Sequence, residues 1–269
     1  MSEEKSEIWD GFTSNFFETF GEESLEEMEP GDDKKTTTEE NRMILNMIFV
    51  IDVSGSMRGT RIAQVNYALE NIFKEMKKRD DLNSVIKVGI MEFSDDARWK
   101  TAKPIPMDDF IFTPINVQKS FTCYASAFDA LEKKLHKNEF MNTDIGEYYS
   151  PLILFITDGE PVDVDDYPKA LERLQQNKWF KKSAKYAIAV GEEAKNSQIG
   201  NLLSGFTGVK ENVRYADEGV ALCNLIEFIT VRASEVQTSM VSSTYGGGYR
   251  DDSIFSDVDG NLFSSLFRS

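Results

Sequence analysis

The chain has 269 residues, 41% of them hydrophobic and 28% charged, the balance of a soluble globular protein with room for one large domain plus tails or two small domains. Its formal net charge of −16 disfavours nucleic acid and anionic membrane as partners; it suits a divalent cation or a basic partner, or serves solubility alone. No apolar run approaches the roughly 20 residues that cross a bilayer, and the acidic opening MSEEKSEIWDGF lacks the regions of a secretory signal. Cys123 and Cys223, the only cysteines, give neither a disulfide framework nor a zinc site, so an intracellular chain is expected, cytoplasmic if bacterial.

In chain order, residues 1–40 read as an acidic leader ending in a Pro-Gly break and a threonine run. Trp9, Phe12, Phe16 and Phe20 recur at three- and four-residue steps, the spacing of an amphipathic helix that docks either on a partner or on the chain's own body. Residues 41–237 form the expected globular body. MILNMIFVID is an apolar run broken only by Asn46, as in a strand buried on both faces. GTRIAQVNYALENIFKEMKKR has helical spacing, SVIKVGIMEFS reads as the next strand, and ARWKTAKPIPM as its antiparallel neighbour at a sheet edge. SAFDALEKKLHKNEF predicts a helix, SPLILFITDGEP a strand, DDYPKALERLQQNKWFKK a helix and AKYAIAVG a strand. QIGNLLSGF, NVRYA and EGVALCNLIEFITVRASEVQ predict a short helix, a short strand and a last helix. Strands alternating with helices imply the α/β class: a doubly wound, mostly parallel sheet flanked by helices. Residues 238–269 open on a glycine run and read as a flexible tail whose Phe and Leu residues suit a docking peptide.

Open α/β sheets bind ligands beyond the carboxyl ends of their strands. Asp52 ends the first strand and Asp158 lies just past LILFIT, so the two carboxylates face one crevice if those strands are neighbours. Ser54 and Ser56, at alternate positions after Asp52, converge if the loop is extended. Such a set offers only hard oxygen, which selects Mg2+, Mn2+ or Ca2+. A purely structural alternative makes Ser54 or Ser56 a helix N-cap. Asp163, Asp165 and Asp166 form either a second cation site or a solvated loop that caps the next helix. Cys123 has no evident histidine to activate it, and His136, the only histidine, sits in a basic surface run.

The segments DVSGS and TDG resemble the two aspartate motifs of the von Willebrand factor A domain family, over a stretch from about Arg42 to Gln237. The resemblance implies a metal ion-dependent adhesion site completed by a threonine, here Thr122. Ser54, Ser56 and Thr122 would contact the metal directly or through water, and Asp52 and Asp158 largely through bound waters. One coordination position is left for an acidic side chain of a partner protein, with Met57, Arg58 and Glu160 on the surrounding loops. The chain departs from the pattern at Ser120 and Phe121, where related bacterial proteins often carry glycines. SPLILFITDGEPVD and NKWFKKSAKYAIAVG look most like bacterial A-domain proteins associated with tellurium resistance and stress operons, which implies an operon-encoded kinase or phosphatase as partner. The expected function is therefore a non-enzymatic, Mg2+-dependent binding module. Two alternatives stand beside it. One is a metal-dependent phosphatase, although Ser54 occupies the place where an aspartyl phosphatase needs its second acid. The other is a scaffold that binds through its leader and tail.

Overall fold

A computed structural model describes residues 42–78, 84–118, 120–143, 146–191 and 198–216, together with residues 222–224, 226 and 230. The predicted leader, the tail and most of the predicted last helix lie outside these residues. The first apolar run is strand β1, Met43–Asp52, buried from Ile44 onward. Its one polar interruption, Asn46, donates to the Phe140 carbonyl at 2.8 Å, which satisfies the amide nitrogen, while its buried Oδ1 has no hydrogen-bond partner among the described residues. Helix α1 (Thr60–Met76) follows, then β2 (Ser84–Phe93) and two short strands, β3 (Ala97–Trp99) and β4 (Ile105–Pro106). Helix α2 (Tyr124–Lys134), strand β5 (Leu152–Thr157), helices α3 (Tyr167–Gln176) and α4 (Lys178–Lys182), and strand β6 (Ala184–Val190) come next. Helix α5 (Ile199–Thr207) and strand β7 (Val213–Ala216) complete the described elements.

The sheet runs β3-β2-β1-β5-β6-β7, with β4 also pairing β2. β1, β2, β5, β6 and β7 are parallel, and β3 and β4 are antiparallel to β2, so the proline of β4 lies in an antiparallel flank rather than the parallel centre. The predicted helix DDYPKALERLQQNKWFKK is two helices. Asn177 leaves the helical region at ψ 127° and its side chain accepts from the backbone of Trp179 and Phe180, ending one helix and starting the next.

Alternation along β1 divides the core. Leu45, Met47, Phe49 and Ile51 pack with Val65, Leu69, Ile72 and Phe73 of α1 on one face. Ile48 and Val50 pack on the other with Tyr124, Phe128 and Leu131 of α2, Leu174 of α3 and Leu203 and Phe206 of α5. Leu222, Cys223 and Ile226 of the predicted last helix join the first face. A sheet covered on both sides leaves its strand ends as the natural place for chemistry, and β1 and β5 are direct neighbours, with Ile51 opposite Ile156.

Candidate metal centre

The register between β1 and β5 brings Asp52 beside Thr157, whose hydroxyl donates to Asp52 Oδ2 at 2.6 Å. The other carboxylate oxygen, Oδ1, accepts the backbone N–H of Ser54 at 2.8 Å. Asp52 is fully buried, and burial pushes its carboxyl up to about 6 against the lowering effect of those two hydrogen bonds.

Past Asp52 the chain makes a short 3-10 turn, Gly55–Met57, that turns Ser56 toward β5. The Ser56 hydroxyl donates to Asp158 Oδ1 at 2.8 Å and lies 3.0 Å from Ser54 Oγ. Its single proton goes to Asp158, so its oxygen lone pairs remain for Ser54 or a cation. Neither serine caps a helix: the turn at Ser54 has no side-chain cap bond, and α1 begins after Gly59.

Thr122 enters from the loop before α2. That loop is tied to the first motif by Gly55 N–H to the Ser120 carbonyl at 3.0 Å, and to the second by Val162 N–H to the Thr122 carbonyl at 2.9 Å. A methyl group placed on Gly159 would lie 3.8 Å from Thr122 Oγ1 and 4.0 Å from Ser56 Oγ, so both hydroxyls border the space in front of Gly159. Thr122 is not the cap of α2. Asp163 takes that role, accepting from the backbone of Tyr124 at 3.1 Å and of Ala125 at 2.7 Å. The expectation that the Asp163 group caps the following helix is thus corrected for Asp163, whose carboxylate serves the helix before it in the chain; Asp166 makes no side-chain cap at α3.

The five oxygen-bearing side chains suit a hard cation. They comprise two carboxylates and three hydroxyls; among the described residues no group of three or more His, Cys, Asp or Glu side chains is placed to hold a metal ion. Mg2+ needs few protein carboxylates because it keeps several waters.

Residues 47–160 match the von Willebrand factor type A domain. This match holds both aspartate motifs and Thr122. Over 144 residues, the chain is 30% identical to inter-alpha-trypsin inhibitor heavy chain H3 of Mesocricetus auratus, covering 49% of this chain and 14% of that protein. The chain spans less than a fifth of the length of the curated relatives it matches. The pilus adhesin SpaC from Lactobacillus rhamnosus GG, in its open conformation, superposes with a TM-score of 0.54 at 11% identity, over 74% of this chain and 30% of that one. The solved structure described as von Willebrand factor type A from Catenulispora acidiphila gives 0.52 at 13% identity, over 72% and 43%. At these identities the likeness is one of fold: a mostly parallel A-domain sheet flanked by helices.

The loops at the strand ends hold the remaining predicted residues differently from one another. Arg58 and Glu160 are exposed, and Glu160 accepts the backbone N–H of Gln198, just before α5, at 2.8 Å. Met57, expected to face a partner, is instead fully buried in the core under α1, because the 3-10 turn that presents Ser56 points the next side chain inward. Burial, with the charge of Asp163 added, pushes the Cys123 thiol up. His136 lies against Glu132 on the surface.

Sequence reasoning passed over Thr157, Tyr124 and Arg61 as residues that shape the site, and gave Asp163 a different role. Thr157 holds Asp52, and Tyr124 donates its hydroxyl to the Gly159 carbonyl at 2.8 Å. Asp163 fixes the threonine loop. Arg61, on the first turn of α1, reaches Asp158 Oδ2 at 2.6 Å. Thr157 adjoins the TDG aspartate in the chain, a signal available from the sequence; the others depend on tertiary contact.

Proposed function

We propose that the chain is a non-enzymatic protein-binding module that holds Mg2+, or alternatively Mn2+ or Ca2+, at Asp52, Ser54, Ser56, Thr122 and Asp158. A carboxylate of a partner protein would complete the coordination. The observation that carries this reading is the convergence of hydroxyls from two separate loops on one space: Ser56 is bonded to Asp158, and Thr122 Oγ1 borders the same gap at Gly159. The A-domain match supports it, since that family consists of protein-interaction modules that often carry a metal ion-dependent adhesion site.

Exposed apolar side chains flank the site. Phe121 is 69% exposed beside Thr122, and Val162 and Val164 are exposed after the second motif. With Arg58 and Glu160 they offer a mixed rim to a partner segment in which an acidic residue has apolar neighbours. The tellurium-resistance likeness makes an operon-encoded kinase or phosphatase the first partner to try, in a cytoplasmic setting. Hydrolysis on Asp52 fits poorly, because both its oxygens accept hydrogen bonds and it is buried, whereas an aspartyl nucleophile needs a reachable oxygen. Calorimetric titration of Mg2+ tests the metal centre: saturable heat is expected for the wild type and none for Asp158→Ala. Equal behaviour of the two proteins overturns it. Partner capture that persists in chelator overturns the metal-dependent recruitment.

A further inference from the structure

Arg61 is placed with more care than a surface arginine requires. Its Nη1 lies 2.6 Å from Asp158 Oδ2 and 3.4 Å from the Ser56 carbonyl. The Asp158 side chain in this pair is fully covered, while that of Arg61 keeps 27% of its exposure. The guanidinium rests on Gly191, just past the end of β6. A Cβ at that position would lie 2.9 Å from Nη2 and 3.1 Å from both Cζ and Nε, so only glycine leaves the shelf open. Gly191 also has a φ of +100°, in the region that favours glycine, and its N–H is held by the Ala216 carbonyl at 2.8 Å. Three separate segments thus hold one positive charge against one of the site's two carboxylates.

We propose that Arg61 is a resident counter-cation that sets the charge of this centre, weakening its intrinsic hold on divalent ions and making the loaded centre selective for an anionic partner group. The inference rests on the metal-centre reading above. Whatever the total charge of the surrounding groups, Arg61 makes the centre one unit less negative than its carboxylates alone would. That unit opposes the entry of a divalent ion. Once the ion is held, the same unit favours the approach of a partner carboxylate into a partly desolvated place, and its removal makes that approach less favourable. Arg61 acts through Asp158, so it is a positioning and specificity residue.

Mn2+ binding to the full chain, read as loss of the free-ion electron paramagnetic resonance signal, tests this at fixed ionic strength. The proteins compared are wild type, Arg61→Gln, Arg61→Lys and Asp158→Ala, each checked for folding by thermal melting. Arg61→Gln is expected to bind Mn2+ about tenfold more tightly than wild type, and Arg61→Lys to stay near wild type because it keeps the charge. Acetate, added as the probe carboxylate to Mn2+-saturated protein and read by water-proton relaxation, is expected to bind more weakly to Arg61→Gln. Equal or weaker Mn2+ binding by Arg61→Gln overturns the inference and leaves the metal centre standing, with Arg61 a mere brace for Asp158. Absence of Mn2+ binding in every protein, or binding that survives Asp158→Ala unchanged, overturns the metal-centre reading and this inference with it.

Discussion

Asp52→Asn stabilises the metal-free protein. Asp52 is buried between Thr157 and Ser54, and its carboxyl is raised from the ordinary 3.8 to about 6, burial being the largest cause. For an acid raised in this way, the folded state keeps a proton that the unfolded chain has lost between those two pH values. The favourable contribution is fully present below pH 3.8 and is lost as pH rises through 6. At about 1.4 kcal/mol per pH unit, keeping Asp52 ionised at pH 7 costs about 3 kcal/mol. Asparagine removes the charge while keeping an oxygen for the Ser54 N–H, and the Thr157 hydroxyl can turn to accept from the new amide. Urea unfolding in chelator therefore shows Asp52→Asn more stable by about 3 kcal/mol at pH 7, with the advantage falling to about half at pH 5 as the wild type takes up its proton. In melting experiments the difference at pH 7 is roughly 6–12 °C for a domain of this size. Saturating Mg2+ narrows the gap by stabilising only the wild type, since a ligand raises the stability of the state that binds it. A variant less stable than the wild type in chelator at pH 7 refutes the reasoning. The hydrogen bonds from Thr157 and Ser54 would then outweigh the burial of the charge.

Gly159→Ala tests the space bordered by the hydroxyls. The new methyl group meets Thr122 Oγ1 and Ser56 Oγ at ordinary contact distance, so the melting temperature stays near wild type while calorimetric Mg2+ affinity drops severalfold. Gly191→Ala destabilises by about 2–3 kcal/mol in urea unfolding, because alanine must take a left-handed φ and displace the Arg61 guanidinium. Asp163→Ala removes two hydrogen bonds from the start of α2 and lowers unfolding free energy by about 1–2 kcal/mol. An unchanged urea midpoint for either of these last two variants contradicts the contact assigned to it.

The parallel sheet was legible because its central strands are nearly unbroken apolar runs, MILNMIFVID, SVIKVGIMEF and LILFIT, a pattern that only burial on both faces explains. The same runs point to Asp52 and Asp158, since a carboxylate at the end of such a strand has no packing role. Asn177 was harder to read. An asparagine between two helical patterns breaks a helix only when its backbone leaves the helical region and its side chain caps the next turn, and periodicity reports neither. Met57 misled for a related reason. It sits one residue from an exposed serine, and a single turn of 3-10 helix separates core from rim there.

Arg61 and Asp163 mark the limit of one-dimensional reading at this site. Each is a charged residue near the start of a helix, where sequence alone supports a solvated side chain or a cap for the nearest helix. Their partners lie 97 and 38 or 39 residues away, and only the neighbouring of β1 with β5, and the binding of the threonine loop to both motifs, bring them together. The motifs specify which oxygens meet. The charge around those oxygens is set by residues outside the motifs, Arg61 on its glycine shelf above all. A protein with the same five oxygen-bearing residues but a neutral residue at position 61 would hold a divalent ion more tightly and an acidic partner more weakly.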